Sequence, residues 1–123
     1  MTKKRLLVGQ TGETAARRYL EKLGYEIIES NYRCSLGEID LIAHDNRTIV
    51  LAEVRTRTSS VFGSPEESIT AEKARRLRRL ALYYLQATRQ DESPSRIDLL
   101  AVMLDKKSLE VQSIRHIKAI LSG

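Results

Sequence analysis

The stretch Gly37 to Arg57, GEIDLIAHDNRTIVLAEVRTR, constrains the fold more than any other part of the chain. β-Branched and leucine residues alternate with polar ones on both sides of His44-Asp45-Asn46-Arg47, which predicts two strands joined by a tight turn. A period of two puts Glu38, Asp40 and Ile42 on one face of the first strand, and Ile49, Leu51, Glu53, Arg55 and Arg57 on one face of the second. With a short turn centred near Asn46, antiparallel pairing brings Asp40 directly opposite Glu53 or one step diagonal to it, with Cβ atoms roughly 4.5–8 Å apart. Two carboxylates at that separation call for a cation between them.

The surrounding segments predict what covers this hairpin. Val8, Ala15, Ala16, Tyr19, Leu20 and Leu23 form a stripe at helical spacing, so residues 8 to 23 read as a helix ending at Gly24. Tyr25 to Arg33 reads as a strand, turned into the hairpin by Cys34-Ser35-Leu36-Gly37 and completing an antiparallel meander. Thr58 to Glu67, rich in Ser, Gly and Pro, reads as an exposed loop. Thr70 is placed to cap a helix running to about Gln90, with Ala74, Leu77, Leu80, Ala81, Tyr84, Leu85 and Thr88 on its buried side. Arg96 to Leu104 is a dense apolar strand, expected to be parallel to an earlier one because a long helix precedes it. Leu109 to Ile114 reads as a last strand and Arg115 to Leu121 as a short terminal helix.

Composition bounds the functional classes. The 123 residues make one domain, 1–123, with 41% hydrophobic and 30% charged residues, the balance of an ordinary globular protein. One cysteine, Cys34, excludes an internal disulfide framework and fits a reducing compartment. Leu6-Leu7-Val8 is far too short for the apolar core of a secretory signal, and no apolar run approaches the roughly 18 residues of a membrane span. A cytoplasmic location without membrane contact is the expectation, and the Asn46-Arg47-Thr48 sequon then carries no meaning. The net charge of +5 and pI near 9.6 favour an anionic partner, most simply nucleic acid. From Thr70 to Gln90, Lys73 and five arginines against Glu72 carry +5, as much as the whole chain. Arg75, Arg76, Arg79 and Tyr83 fall opposite the buried side, where they would hold phosphates without reading sequence. A charged outer face is what any amphipathic helix carries, but the near absence of acidic residues tips the reading towards phosphate contact.

The candidate chemistry sits on the hairpin. Phosphodiester hydrolysis uses a divalent cation to polarise the phosphate and lower the pKa of an attacking water, and hard oxygen ligands suit Mg²⁺. Asp40, Glu53 one strand away and the cation of Arg55 two residues further supply those parts, although cross-strand pairs of acid and arginine are also routine surface features. Cys34, His44 and His116 lack zinc-ligand spacing. No phosphate-binding glycine loop, dinucleotide fingerprint or nucleophile triad is present.

Gly12-Glu13, Gly37-Glu38-Ile39-Asp40-Leu41-Ile42, Glu53-Val54-Arg55-Thr56-Arg57, Phe62-Gly63-Ser64-Pro65, Lys73 and Arg96-Ile97-Asp98 occur in order along nearly the whole chain. Together they resemble the YraN-type family of small bacterial proteins. That family is similar to the PD-(D/E)XK restriction-endonuclease-like fold and, within it, to archaeal Holliday junction resolvases. The resemblance implies an α/β fold with a mixed sheet, an antiparallel meander flanked by helices, and a metal-dependent endonuclease in a bacterial cytosol. It implies Asp40 and Glu53 as ligands of Mg²⁺ or Mn²⁺ and Glu13 as an additional carboxylate, a residue that otherwise reads as an acid in a helix's first turn.

The chain departs from the motif at Arg55, where lysine is called for. A guanidinium stays charged, so Arg55 steadies charge on a phosphate but does not deprotonate water. Lys73 is either a replacement cation or, more simply, a solvated lysine of a basic helix. Arg57 is either a phosphate contact or a solvated strand end, and Phe62 either stacks on an unpaired base or anchors its loop. The expected function is therefore hydrolysis of DNA phosphodiesters, with DNA favoured over RNA and branched or single-stranded DNA among the candidates. The rival is a non-catalytic nucleic-acid-binding module on the same scaffold, and a third possibility is docking of the basic helix on an acidic protein. An exposed edge strand would permit a homodimer, which no residue demands.

Overall fold

The computed structural model of the protein describes residues 2–59 and 63–121. Its elements follow the chain as α1 (Lys3–Lys22), β1 (Glu26–Cys34), β2 (Gly37–Asp45), β3 (Thr48–Arg57), a 3-10 turn (Pro65–Ser68), α2 (Ala71–Ala87), β4 (Ser95–Leu104) and β5 (Val111–Ile117). The five strands make one sheet in the order β1-β2-β3-β4-β5. β1, β2 and β3 form the expected antiparallel meander, β4 runs parallel to β3 through the α2 crossover, and β5 returns antiparallel to β4. The architecture is α/β with a mixed sheet flanked by two helices, as the sequence predicts.

Alternation along β3 assigns the two faces. Val50 and Ala52 pack with Ala16 and Leu20 of α1, together with Leu41, Ala43, Leu100, Val102 and Leu104. Ile49 and Leu51 pack with Leu80, Ala81, Tyr84 and Leu85 of α2. Each helix thus buries one stripe against one face of the sheet. Gly12 permits the close approach of α1. A methyl group built there would overlap the Thr56 hydroxyl of β3, and Gly12 is itself buried. Gly12→Ala is expected to cost about 1–3 kcal/mol through overpacking, read as a fall in urea midpoint; an unchanged midpoint would show that helix and strand separate freely.

Several boundaries differ from the sequence reading. α1 begins at Lys3 rather than Val8, because the Thr2 hydroxyl accepts the Arg5 N–H at 3.2 Å and caps it, while Leu6 and Leu7 stay half exposed and add nothing to the apolar stripe. Leu23, counted in that stripe, is 51% exposed. Gly24 does adopt the left-handed conformation, with φ of 91°. The 3-10 turn Pro65–Ser68 interrupts the predicted loop, and the Thr70 hydroxyl caps α2 by accepting the Lys73 N–H at 3.2 Å. The terminal helix is absent: residues 115–117 extend β5, and 118–121 form turns.

The cause lies in Asp98, which is fully buried in β4. Its Oδ2 lies 2.7 Å from Nε2 of His116, its Oδ1 accepts the Ala119 N–H at 3.0 Å, and Arg96 Nε donates to both oxygens at 3.0 and 3.2 Å. Arg96 also reaches the Tyr25 hydroxyl at 2.8 Å and Asp45 Oδ2 at 3.2 Å. The network pins residues 116–119 to the sheet and overrides their local preference. Among the described residues no helix is long and apolar enough to cross a membrane.

Candidate active site

The β2–β3 ladder runs from Asp45↔Thr48 to Leu41↔Ala52, so the next pair in register is Asp40 with Glu53. There the regular pairing stops. Asp40 Oδ2 accepts the Val54 N–H at 2.7 Å, a side chain taking the place of a backbone partner between the parting strands. Its carboxyl is raised to about 7, first by burial, then by the charge of Glu53, which also lies within hydrogen-bonding reach; the bond from Val54 offsets part of the rise. The two carboxylates that the hairpin register predicts side by side thus feel each other's charge.

A strict period of two fails here. Glu38 and Asp40 both interact with Glu13 of α1, whereas Ile42 packs with Ile39 in the layer under α2. Asp40 and Leu41 therefore both lie toward α1, and the expected grouping of Asp40 with Ile42 is corrected.

Glu13 stands well inside α1, not in its first turn, so the helix-dipole explanation of this acid does not hold. It lines a cleft of about 740 Å³ together with Asp40, Val54, Arg55, Arg57, Lys4 and Arg5. Burial, then the neighbouring Glu38, raises the Glu13 carboxyl. The Asn31 side-chain amide, oriented with its nitrogen toward the two acids, donates to Glu13 Oε1 and Glu38 Oε1 at 2.8 Å each. Neither Asn31 nor Glu38 is singled out as a site residue in the sequence. Asn31 sits at φ of 53° in a strand interior, which no local pattern signals.

Cations surround the pair unequally. Arg55 Nη2 lies 2.9 Å from Glu53 Oε2, off the line of a hydrogen bond, so its Nε and Nη2 are buried without a hydrogen-bond partner. Lys73 Nζ is 4.0 Å from the same oxygen with its side chain 22% exposed, so the solvated reading of this lysine is corrected: it leans in from α2. Arg57 donates to the Gly63 carbonyl at 3.2 Å and lines the cleft beside Arg55. Arg75, Arg76 and Arg79 are exposed and, with Lys73, Ser35, Ser68 and Thr70, line a second cleft of about 710 Å³ on the α2 side. Tyr83 is 41% exposed. Phe62 lies outside the described residues.

Among the described residues no three His, Cys, Asp or Glu side chains converge on one point that would hold a metal ion. What fits a cation is the pair. Asp40 and Glu53 are hard oxygen donors whose mutual repulsion a divalent ion relieves, and Mg²⁺ ordinarily keeps several waters and takes only one or two protein carboxylates.

A mixed five-stranded sheet between two helices, with paired carboxylates where two central strands part, defines a small α/β domain compatible with a restriction-endonuclease-like fold. The chain belongs to the uncharacterised protein family UPF0102, whose sequence profile matches residues 12–102. It is 50% identical over 107 residues to a UPF0102 protein of Moorella thermoacetica, covering 87% of this chain and 89% of that protein. A UPF0102 protein of Syntrophus aciditrophicus is 42% identical over 110 residues, covering 89% and 87%. One from Herpetosiphon aurantiacus is 42% identical over 124 residues, covering 98% of both chains.

Proposed function

We propose that this protein is a metal-dependent endonuclease that hydrolyses DNA phosphodiesters, with branched and single-stranded DNA among its substrates. The observation that carries the reading is the interacting pair Asp40 and Glu53, of which Asp40 lines a cleft edged by Lys4, Arg5, Arg55 and Arg57. Acids beside a cationic cleft suit a polyanion whose reacting phosphate must approach a metal. Asp40 and Glu53 would hold Mg²⁺ or Mn²⁺, which when bound polarises the phosphate and makes its water more acidic. Glu13, positioned by Asn31, is the further acid on the same wall. Arg55, which lines the cleft between Val54 and Arg57, would steady the charge of a bound phosphate. Lys73 restrains Glu53 from the α2 side, while Arg57, Arg75, Arg76 and Arg79 hold the backbone on either side.

One observation favours a second reading, a nucleic-acid-binding module without turnover. The Arg55 guanidinium already partners Glu53 and competes with a metal for that carboxylate. The two separate on one substitution. Incubation of branched, duplex and single-stranded DNA with Mn²⁺ is expected to give slow cutting by the natural sequence and at least about tenfold faster cutting by Arg55→Lys, because an amine can take part in proton transfer. Binding by both forms with cleavage by neither would leave the binding module standing and end the nuclease reading.

A further inference from the structure

The cationic surface does not end at the carboxylate cleft. Lys3, Lys4, Lys106 and Lys107 surround Leu7 and Leu109 in a shallow depression of about 610 Å³, and Lys4 lines both this depression and the cleft that holds Asp40 and Glu13. Two segments far apart in sequence supply the lysines: the first turn of α1 and the turn between β4 and β5. Both are held by capping bonds. Thr2 caps α1, and Asp105 Oδ2 accepts the Lys107 and Ser108 N–H groups at 2.9 and 2.8 Å. The Asp105 N–H donates to the Glu110 carbonyl at 2.8 Å, closing the turn. Those backbone bonds hold the Asp105 carboxyl below its ordinary range, so it stays ionised and directed at its own turn rather than at an ammonium group. All four lysines are exposed, and among the described residues none of their ammonium groups is in an ion pair.

Four unpaired cations around a shallow apolar floor repel one another, and an extended polyanion relieves that repulsion. A small anion would meet only part of a surface assembled from two separate segments. On the opposite side of the carboxylates lies the arginine-lined cleft of α2, whose Lys73 also approaches Glu53. Asp40 and Glu53 therefore stand between two cationic surfaces, each sharing a residue with the site.

We propose that the lysine depression is a second nucleic-acid contact, which grips backbone phosphates of the strand continuing out of the carboxylate cleft past Lys4. The inference rests on the reading of that cleft as a nucleic-acid site and adds a substrate requirement: the strand extends beyond the reacting phosphate on this side, so long strands are held better than short ones. Leu7 and Leu109 give the sugars between those phosphates an apolar floor.

The test uses the full chain and Lys106→Gln/Lys107→Gln, positions outside the cleft whose change is expected to leave the melting temperature unaltered. Single strands of about 4 and about 40 nucleotides are titrated at several salt concentrations, the shorter spanning only about 14 Å at about 3.4 Å per phosphate. For the long strand, affinity is expected to fall about tenfold or more and the salt slope by about 1.4, two contacts at about 0.7 each. For the short strand, both should hold. Equal loss on both lengths, or no loss on either, would overturn the inference while leaving the cleft reading intact. Absence of binding to either strand by the natural sequence would overturn both. Binding to anionic phosphatidylserine vesicles that the double variant loses, with DNA affinity unchanged, would assign the depression to a membrane surface and overturn the inference alone.

Discussion

Replacing Asp40 with asparagine is expected to abolish metal-dependent cleavage, by about a thousandfold or more, while making the metal-free protein more stable at neutral pH. The two effects share one cause. The Asp40 carboxyl is raised to about 7 by burial and by Glu53, above its ordinary value of 3.8. A group whose pKa rises on folding binds more protons folded than unfolded, so the contribution of Asp40 to stability is greatest in acid and is lost as pH climbs from about 4 to about 7. Full linkage over that rise is about 4 kcal/mol; with partial solvent access at a half-buried group, about 2 kcal/mol is the expected net loss. The asparagine side chain keeps an oxygen for the Val54 N–H and offers a donor to Glu53, so the stability of Asp40→Asn should not decline over that window. Urea melts of both forms at pH 5 and pH 8 check this through the difference between the two. Millimolar Mn²⁺ at pH 8 should raise the midpoint of the natural sequence only. Parallel pH profiles for the two proteins would mean that the carboxylates do not interact, and cleavage that survives Asp40→Asn would place the chemistry elsewhere.

Asp98→Ala is expected to be the most damaging single change to the fold, costing about 3–5 kcal/mol. It would strand a His116 side chain only 4% exposed and the Ala119 N–H at once, and leave Arg96 with Asp45 and Tyr25 alone. Against the roughly 5–15 kcal/mol of a typical domain this is a large share. Asp98→Asn, which retains an acceptor, should cost less than the alanine variant and keep the protein measurable if Asp98→Ala does not fold. Denaturant midpoints read both. A loss below about 1 kcal/mol in each would show that water replaces the carboxylate freely. Neither Asp98 nor Arg96 lines the carboxylate cleft, so DNA binding by folded Asp98→Asn protein should be unaltered.

Much of this architecture is legible in the amino-acid order because local and global preferences agree. The hairpin alternates on both sides of Asn46, and its register sets Asp40 against Glu53 without further information. The long helix before an apolar strand forces β4 to lie parallel to β3. Where the reading fails, a tertiary contact overrules a local pattern. Residues 115–117 carry no strand signal strong enough to outweigh a helical tail until Asp98 binds His116. The slip at Asp40 coincides with its carboxylate accepting the Val54 N–H, a bond between residues fourteen apart that no local pattern announces. Lys73 looks like one more solvated cation in a basic helix, and only the placement of α2 over β3 brings it to Glu53. Asn31 carries no motif, and its role becomes visible once α1 and β1 place Glu13 and Glu38 on either side of it.

The order of the strands along the sheet has one more consequence. β3, bearing Glu53, Arg55 and Arg57, is the middle strand, bonded to β2 through Ala52 and to β4 from Ile49 to Arg57, while β1 and β5 take the two margins. Fraying begins at margins and reaches the middle last. The side chains that β3 presents therefore ride on the strand expected to open last, so damage at either margin should shorten the protein's lifetime before it disturbs them.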